Sequence, residues 1–307
     1  MFRSSGLVEN SFVDIGLLYM CWNAGISFLF GTGHLMTHMI VSKLRPPEHP
    51  AFRQFTRFYF TMEAFQALQW TFGDVIPDPT VYGSSCSLIN NLFTVVAYVL
   101  VWWQPVLFAD MGRTCSAIAS RDEGSTDLKV WDYAHKLALA TFAYGLVNVM
   151  IGFFYACDYS IPRSNYGIDT CTEIGDMGHL GWKFHPYSIA YHPNLYVYLL
   201  LVSMSISMFP MAMMLTVGLG WLLTMLVSLC MVGNGPDLPA FWCLLSVFAD
   251  VPIVLYSMGL RMKKCFASRC NNRCNNQCNF RGSGSIGKGD EKNPDQIASF
   301  EHRNSDH

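Results

Sequence analysis

Two acidic residues, Glu63 and Asp250, lie in the middle of long apolar stretches of this chain. A carboxylate at the centre of a bilayer costs at least about 2.5 kcal/mol on insertion scales, so an acid that persists there has a partner or a task. The sequence places no Lys or Arg at the depth of either acid. We therefore expect that one or both are protonated, because burial disfavours the charged form, or that they bind a cation or a protonated ligand.

Further polar side chains recur at helical spacing near these acids. Residues spaced by three and four line one face of a helix, and the stripes contain Tyr59, Glu63, Gln66 and Trp70 in one segment and Ser87, Asn91, Thr94 and Tyr98 in the next. Inside a membrane such a face turns to the bundle interior or to a water-filled cavity, although hydrogen bonding between helices alone also retains such residues. We predict an ion or ligand site formed by Glu63, Asp250, Gln66, Asn91 and Tyr98.

A histidine pair in the first apolar segment is a candidate metal site. His34 and His38 are four residues apart, which allows both rings to face one metal ion or to relay a proton. A third ligand would come from Glu63 or His135, although the spacing does not require either. The alternative is that the two rings only pack between helices.

The elements that carry these residues are predicted to be membrane-spanning helices. The 307 residues are 51% hydrophobic and only 14% charged, against about 25% charged in soluble domains, and a span needs roughly 20 mostly apolar residues. The segments run from about Phe12 to Val41, Phe52 to Phe72, Cys86 to Ala109, Val130 to Ala156, Leu195 to Leu215, Val217 to Val232 and Leu238 to Leu260. The predicted fold class is an all-α membrane protein with seven transmembrane helices, in the plasma membrane or an endomembrane. The net charge of -2 gives no field that would attract nucleic acid.

The basic residues predict the orientation of the bundle, because Lys and Arg accumulate in cytoplasmic loops. With the N-terminus outside, the outer segments hold only Arg3, Arg163 and Lys183. The inner segments hold Lys43, Arg45, Arg53, Arg57, Arg113, Arg121, Lys129 and Lys136, and the tail adds Arg261, Lys263, Lys264, Arg269 and Arg273. We therefore expect the N-terminus outside and the C-terminus in the cytoplasm.

The outer loop of residues 157–193 is long and rich in His, Tyr and Trp. Loops of more than about 15 residues are usually functional or disordered, and the aromatic content favours a compact lid over the bundle of residues 1–264. Cys86, Cys157 and Cys171 lie on this outer side, where the surroundings permit one disulfide bond. Cys171 is predicted to pair with Cys86 or with Cys157; the sequence does not choose.

A cysteine-rich basic segment follows the last predicted helix, at residues 265–307. Cys265, Cys270, Cys274 and Cys278 alternate with Lys and Arg. Acylation of juxtamembrane cysteines such as palmitoylation, plain reduced cysteines, and zinc binding all remain open, although the C-x4-C-x3-C-x3-C spacing lacks the usual C-x2-C pair of a zinc site. From Arg281 onwards, Gly, Ser, Asp, Asn and Lys predict a disordered tail that is available to a cytoplasmic partner.

Seven helices with an outer N-terminus resemble two large classes only in topology. Asp110-Met-Gly-Arg113 stands where G-protein-coupled receptors have Asp-Arg-Tyr, and the last helix has Asp250-Val-Pro252 but not the Asn-Pro-x-x-Tyr pattern. Microbial rhodopsins carry a retinal-binding lysine in their last helix. The predicted last helix here contains no lysine, so a retinal Schiff base is excluded and no cofactor is expected.

A third resemblance is carried by residues along most of the apolar region. The positions are Cys86-Ser87, Asn90, Thr94, Tyr98, Gln104-Pro105 and Gly178-His179-Leu180-Gly181-Trp182. They resemble an uncharacterised multi-span membrane protein family of microalgae and large DNA viruses. That resemblance brings no site residues with it.

Three function classes follow from these features. The leading hypothesis is transport or permeation of a proton, a cation or a cationic solute through the Glu63 and Asp250 site. The alternative is a receptor-like or scaffolding membrane protein that acts through its cytoplasmic tail. An enzyme ranks third, since the sequence contains no GxSxG, HExxH, P-loop or dinucleotide motif, and only hydrolysis by His34, His38 and a carboxylate is conceivable.

Overall fold

The computed structural model describes residues 23–76, 87–123, 127–155, 171–175, 178–182, 195–233 and 238–282. The helices are α1 (Ala24–Leu44), α2 (His49–Phe72), α3 (Leu88–Glu123), α4 (Asp127–Tyr155), α5 (Leu195–Ser207), α6 (Met211–Met213), α7 (Leu219–Val232), α8 (Leu238–Leu245) and α9 (Asp250–Gly282). A π-helical turn, Met214–Gly218, joins α6 to α7, and a 3-10 turn, Ser246–Ala249, joins α8 to α9. The strands are β1 (Thr172–Ile174) and β2 (Leu180–Trp182).

The predicted helical class is confirmed, and the two short strands are an addition that the sequence did not indicate. Four helical stretches in the described part are long and apolar enough to cross a membrane, namely Ala24–Leu44, Leu88–Ile118, Met211–Val232 and Leu238–Phe266. A shorter apolar helix covers Tyr196–Ser207. The count of seven spans and the orientation of the termini stay predictions.

The boundary between the fifth and sixth predicted segments was wrong. The apolar pattern predicted a boundary near Thr216, but the helix breaks at Met208–Pro210 and residues Met211–Val232 follow as one stretch. Proline cannot donate the helical hydrogen bond and disfavours helical backbone at the preceding residue, here Phe209. The chain still turns back on itself, because Gly218 lies against Ile206 of α5.

The first two helices form an antiparallel pair through the connection Arg45–Glu48. Asn23 caps α1, since its Oδ1 accepts hydrogen bonds from the backbone N–H of Gly25 at 2.8 Å and of Ile26 at 3.2 Å. Arg45 ends α1 in the left-handed conformation, and two prolines follow. The pair packs tightly where Gly31 of α1 faces α2, because a Cβ at Gly31 would lie 3.2 Å from the Cβ of Glu63.

The 3-10 turn is held between two other helices by glycines. A Cβ at Gly220 of α7 would lie 2.7 Å from the Cβ and 3.0 Å from the Cα of Ala249. A Cβ at Gly33 of α1 would lie 2.8 Å from Val247. The absence of a side chain at both positions therefore permits this close approach, which brings Ser246 and Asp250 next to α1.

The two strands form an antiparallel hairpin that is built into one end of the bundle. Ile76, just after α2, extends the hairpin in parallel with Glu173. Leu180 and Trp182 are fully buried, so the hairpin packs into the helices instead of covering them loosely. We refer to this as the hairpin end of the bundle; its action as a lid stays a prediction.

The bundle and the tail belong to two compact units, of which the first ends at Arg261 and the second begins at Met262. In the described part the second unit consists of the remainder of α9. The predicted apolar segment ends at about Leu260, and the helix that contains its second half, α9, continues to Gly282 and includes all four tail cysteines. Residues 261–281 contain no Gly or Pro that would end the helix.

Candidate functional site

The centre of the site is an imidazole–carboxylate pair between α1 and the start of α9. His34 Nδ1 lies 3.0 Å from Asp250 Oδ2, and both side chains are buried. His34 Nε2 lies 3.1 Å from the Ser246 hydroxyl, and the His34 ring stacks on Tyr59 with 5.7 Å between ring centroids. Asp250, for which the sequence indicated no Lys or Arg partner, thus lies beside a histidine from a distant helix.

The hydrogen bonds around Ser246 determine what its hydroxyl can offer to His34. The Ser246 hydroxyl donates to the backbone carbonyl of Cys243, which only accepts. The Ser246 oxygen is then free to accept a hydrogen bond from His34 Nε2. The contact between His34 Nδ1 and Asp250 is of ion-pair distance but does not have the geometry of a hydrogen bond.

Ser246, His34 and Asp250 have the atom order of a hydrolase triad, but not its proton arrangement. In a triad the serine hydroxyl donates to the histidine that will accept its proton. Here that hydroxyl donates to a backbone carbonyl instead. The arrangement is therefore suited to holding and passing a proton and not to activating a nucleophile.

Glu63 is the second carboxylate of the site and lies near the same helix. It is fully buried on α2, and neither carboxylate oxygen has a hydrogen bond of good geometry among the described residues. The Ser27 hydroxyl of α1 is adjacent to it. Because Glu63 packs at the level of Ser27 and Gly31, and Asp250 at the level of His34, the acids are offset by about 5–10 Å along α1, at 1.5 Å per residue. They do not lie at one matched level.

A chain of polar groups connects the pair to the other side of the bundle. Tyr198 of α5 donates a hydrogen bond to Gln104 Oε1 of α3. Gln104 Nε2 in turn donates to the Cys243 thiol at 3.5 Å, and the carbonyl of Cys243 accepts from Ser246. All these side chains are buried. Sequence reasoning missed Gln104 and Ser246 as site residues, because single polar residues in apolar helices give no sign of which neighbour they meet.

The predicted histidine metal site does not form in the described part of the chain. His34 faces Asp250 and Ser246, whereas His38 Nδ1 contacts the Thr56 hydroxyl at 3.2 Å. The described residues contain no cluster of three or more His, Cys, Asp or Glu side chains that would hold a metal ion. The two rings thus have separate partners on different helices.

The other predicted site residues lie at different places. Gln66 is fully buried and its Nε2 donates to the carbonyl of Ala240 at 3.4 Å. Asn91 and Tyr98 are buried on α3. The Tyr98 hydroxyl lies 2.9 Å from the position of a Cβ on Gly145, so it points towards α4. Of these three, Gln66 is the one that contacts α8.

The hairpin end contains a second buried polar cluster centred on Thr172. Gln69 Nε2 donates to the Thr172 hydroxyl at 2.6 Å, and Gln69 Oε1 accepts from Trp182 Nε1 at 2.9 Å. Asn90 accepts from the Thr172 N–H at 2.6 Å and donates to the Thr172 carbonyl at 2.8 Å. Thr94 completes the set at 2.7 Å from the Thr172 hydroxyl. These bonds fix the hairpin one helical turn from Gln66.

His179 gives the hairpin a titratable group. It is buried, and its Nδ1 accepts a hydrogen bond of 2.7 Å from the backbone N–H of Leu180. Burial lowers the pKa of His179 to about 4. The ring is therefore neutral at pH 7 and packs edge-on against Phe241.

The cysteines can be placed only in part. Cys171 is buried next to β1 and is disulfide-bonded, and Cys86 and Cys157 lie outside the described residues, so the choice of partner stays a prediction. Cys265 is exposed and free. Cys270, Cys274 and Cys278 lie on the helical backbone of α9, and acylation of these four residues stays a prediction.

Comparisons with known proteins agree on one family. Residues 26–267 match the family of unknown function DUF5765, a range that contains nearly all of α1, the whole of α2 to α8, and the site described above. An uncharacterized protein, R287, of Acanthamoeba polyphaga mimivirus is 36% identical over 241 residues, which are 77% of this chain and 95% of the viral protein. No solved structure shows significant similarity to the chain. The viral relative agrees with the predicted resemblance to proteins of large DNA viruses, and the chain belongs to the DUF5765 family.

Proposed function

We propose that this protein is an integral membrane protein that transfers protons across the bilayer through Glu63 and the His34–Asp250 pair. The observation that carries the proposal is the His34 ring, which contacts Asp250 through one nitrogen and Ser246 through the other while buried inside the helices. A histidine held in this way can accept a proton on one side and release it on the other. Ionisable residues in membrane helices commonly mark proton relays.

The packing around the site favours a proton over a larger cation. His34 lies 3.1 Å from the Ser246 hydroxyl and 3.0 Å from Asp250, and all three side chains are buried. A proton can pass between groups at such distances, whereas a metal ion needs several oxygen, nitrogen or sulfur ligands around one point. A cation or cationic solute remains the broader form of the proposal.

Two non-α turns next to the site are places where the helices that carry it can bend. The 3-10 turn Ser246–Ala249 directly precedes Asp250, and the π-helical turn Met214–Gly218 lies in the neighbouring helix. Departures from α-helix inside a long helix often mark hinges or functional sites. A shift at the 3-10 turn would change the distance between His34 and Asp250 and so the direction in which the proton is released.

The test is proton flux in proteoliposomes that contain a pH-sensitive dye. A potassium gradient with valinomycin drives the flux. The Glu63→Gln and Asp250→Asn variants, which keep shape and remove charge, are each expected to lower the rate at least about tenfold, as expected for loss of a proton-transfer group. The matched control is Asp132→Asn, because Asp132 is a half-exposed acid of α4 beside Arg113. Flux that persists in the double variant Glu63→Gln/Asp250→Asn would contradict the proposal.

A receptor-like function is the second candidate and is supported by α9. This helix continues past its apolar part and carries Arg261, Lys263 and Lys264 as exposed residues on the same helix as Asp250. A change at Asp250 would thus be transmitted along one continuous element to a cytoplasmic partner. The test is a ligand-dependent partner that binds residues 261–307, and deletion of this tail without any effect would count against it.

A further inference from the structure

A cleft away from the Glu63 and Asp250 site opens between α2, α3 and α4. Its volume is about 410 Å³, and its walls include Gln54, Arg57, Phe58, Trp103, Asp110 and His135. None of these six residues belongs to the polar chain described above. The cleft lies on the outer surface of the bundle, because Arg57 and Trp103 are exposed.

The two ends of the cleft differ in chemistry. Gln54 Nε2 donates to Asp110 Oδ2 at 2.9 Å, which places the start of α2 level with Asp110 on α3. Towards the middle of the bundle, Phe58 and Trp103 provide an apolar wall, and Trp103 packs edge-on against Phe142 with 5.0 Å between ring centroids. The cleft is therefore polar at the end remote from the hairpin and apolar towards its centre.

The polar end carries two basic side chains that have no ion-pair partner among the described residues. Arg57 and His135 have no side-chain hydrogen bond or ion pair within the described ranges. Arg57 lies eight residues into α2, which is about 12 Å from the start of the helix at 1.5 Å per residue. An arginine at that depth in a membrane is stabilised by an anionic or strongly polar group beside it.

The polar end also holds one carboxylate. Gln54 fixes Asp110 on one oxygen, and Arg113 lies 3.8 Å from the other. The Asp110 side chain is 34% exposed, so it remains accessible from the cleft. The cleft is therefore complementary to a ligand that has an anion near Arg57 and His135, a cation that joins Arg113 beside Asp110, and an apolar part along Phe58 and Trp103.

We propose that this cleft binds one zwitterionic glycerophospholipid with a primary ammonium group. The phosphate contacts Arg57 and His135, the ammonium contacts Asp110, and an acyl chain lies along Phe58 and Trp103. Charge-assisted hydrogen bonds of this kind are the strong ones for both phosphate and ammonium groups. The inference rests on the proposed membrane location but not on proton transfer.

The experiment measures lipid binding to the full chain in detergent by native mass spectrometry. Lipid-depleted protein is titrated with phosphatidylethanolamine, phosphatidylcholine and phosphatidylglycerol of identical chains. We expect one tightly bound phosphatidylethanolamine and weaker binding of the other two. Arg57→Gln is expected to weaken this binding about tenfold, as for loss of one charge-assisted pair. Asp110→Asn is expected to abolish the preference for phosphatidylethanolamine over phosphatidylcholine, whose quaternary ammonium cannot donate a hydrogen bond.

The control is Arg53→Gln, one turn earlier on α2 and outside the cleft, which is expected to leave binding within about twofold, as is usual for a surface charge. Equal loss in Arg53→Gln and Arg57→Gln, or an unchanged preference in Asp110→Asn, would overturn the proposal. Glycerophosphoethanolamine, which lacks the chains, should not displace the lipid at equal concentration. Displacement would overturn the phospholipid as the occupant and indicate a soluble phosphate ester. Proton flux is not part of this readout, so the two proposals fail independently.

Discussion

At the scale of single residues, the two buried acids differ in their surroundings. Asp250 has a histidine beside it, with 3.0 Å between His34 Nδ1 and Asp250 Oδ2, although this contact lacks the geometry of a hydrogen bond. Glu63 is equally buried, but its oxygens lack well-formed hydrogen bonds within the described residues. A carboxyl group in that position is expected to hold a proton, because burial disfavours its charged form. In the proposed function, Glu63 supplies the proton and the His34–Asp250 pair, further along α1, accepts it.

The pairing of His34 with Asp250 can be tested through stability. His34→Phe keeps an aromatic ring against Tyr59 but leaves Asp250 without its partner, so it should destabilise the protein by about 3–5 kcal/mol. The double variant His34→Phe/Asp250→Leu replaces both members with apolar side chains and should recover most of this loss. The measurement is thermal unfolding in detergent, followed by size-exclusion fluorescence. A double variant that is no more stable than the single one would show that the pair does not interact.

His179 predicts a pH dependence of the hairpin. In the folded hairpin the pKa of His179 is about 4, against 6.5 in the unfolded chain. The unfolded state therefore binds the extra proton between these values, and the stability of the hairpin falls as the pH drops from about 6.5 towards 4, by up to about 3 kcal/mol. Hydrogen exchange of the 178–182 peptide, corrected for intrinsic rates, measures this. His179→Asn keeps an acceptor near Leu180 without titrating in this range, and a pH response as large as in the wild type would contradict the assignment.

At the scale of elements, the site depends on how closely the 3-10 turn is held by its neighbours. Gly33 and Gly220 face this turn from α1 and α7, and neither position has room for a Cβ without movement. Because interiors are close-packed, a small displacement here moves Ser246 and Asp250 relative to His34. The glycines are therefore positioning residues for the proton pair.

The close approach at Gly220 gives a matched comparison. Gly220→Ala would place a Cβ 2.7 Å from Ala249, so it should destabilise the protein by about 1–3 kcal/mol through overpacking. Gly259→Ala makes the same change in α9, where a Cβ meets nothing within 4 Å. This second variant should be neutral or stabilising by up to about 1 kcal/mol, since Ala favours helix. Thermal unfolding of both variants measures this difference. Similar melting temperatures would show that a Cβ at Gly220 does not overpack the contact with Ala249.

At the scale of the whole molecule, the predicted topology remains to be measured. The basic residues favour seven spans with the C-terminus in the cytoplasm, whereas four stretches of the described chain are long and apolar enough by themselves. The described helix α2 contains Arg53, Arg57 and Glu63, which lower its apolar character. Such a helix crosses a membrane only if its polar face is covered by other helices, as the burial of Glu63 and Gln66 indicates.

Epitope tags on intact cells test this topology. A tag inserted after Gly233, in the connection between α7 and α8, should bind antibody from outside. A tag after His307 should become accessible only when the membrane is permeabilised. Because seven spans place the two tags on opposite sides, equal accessibility of both tags in intact cells would contradict the count of spans or the orientation.

The sequence by itself determined the helical class, the approximate position of most helices and the identity of the two buried acids. Apolar length and helical spacing are local properties, and these are readable without a fold. Local patterns did not show that the helix breaks at Pro210 and not near Thr216, because the proline stands within a continuous apolar run. They also did not show that α9 continues to Gly282, because the segment after the apolar part is polar although it contains no Gly or Pro before Gly282.

The tertiary structure alone decided which polar residues meet. His34 and Asp250 are separated by most of the chain, and their contact depends on glycines that let α1 and α7 approach the same 3-10 turn. The same holds for Gln104 with Cys243 and for Asn90 with Thr172. Partner choice between distant helices follows from packing geometry, and packing geometry is not encoded in the spacing of residues along one helix.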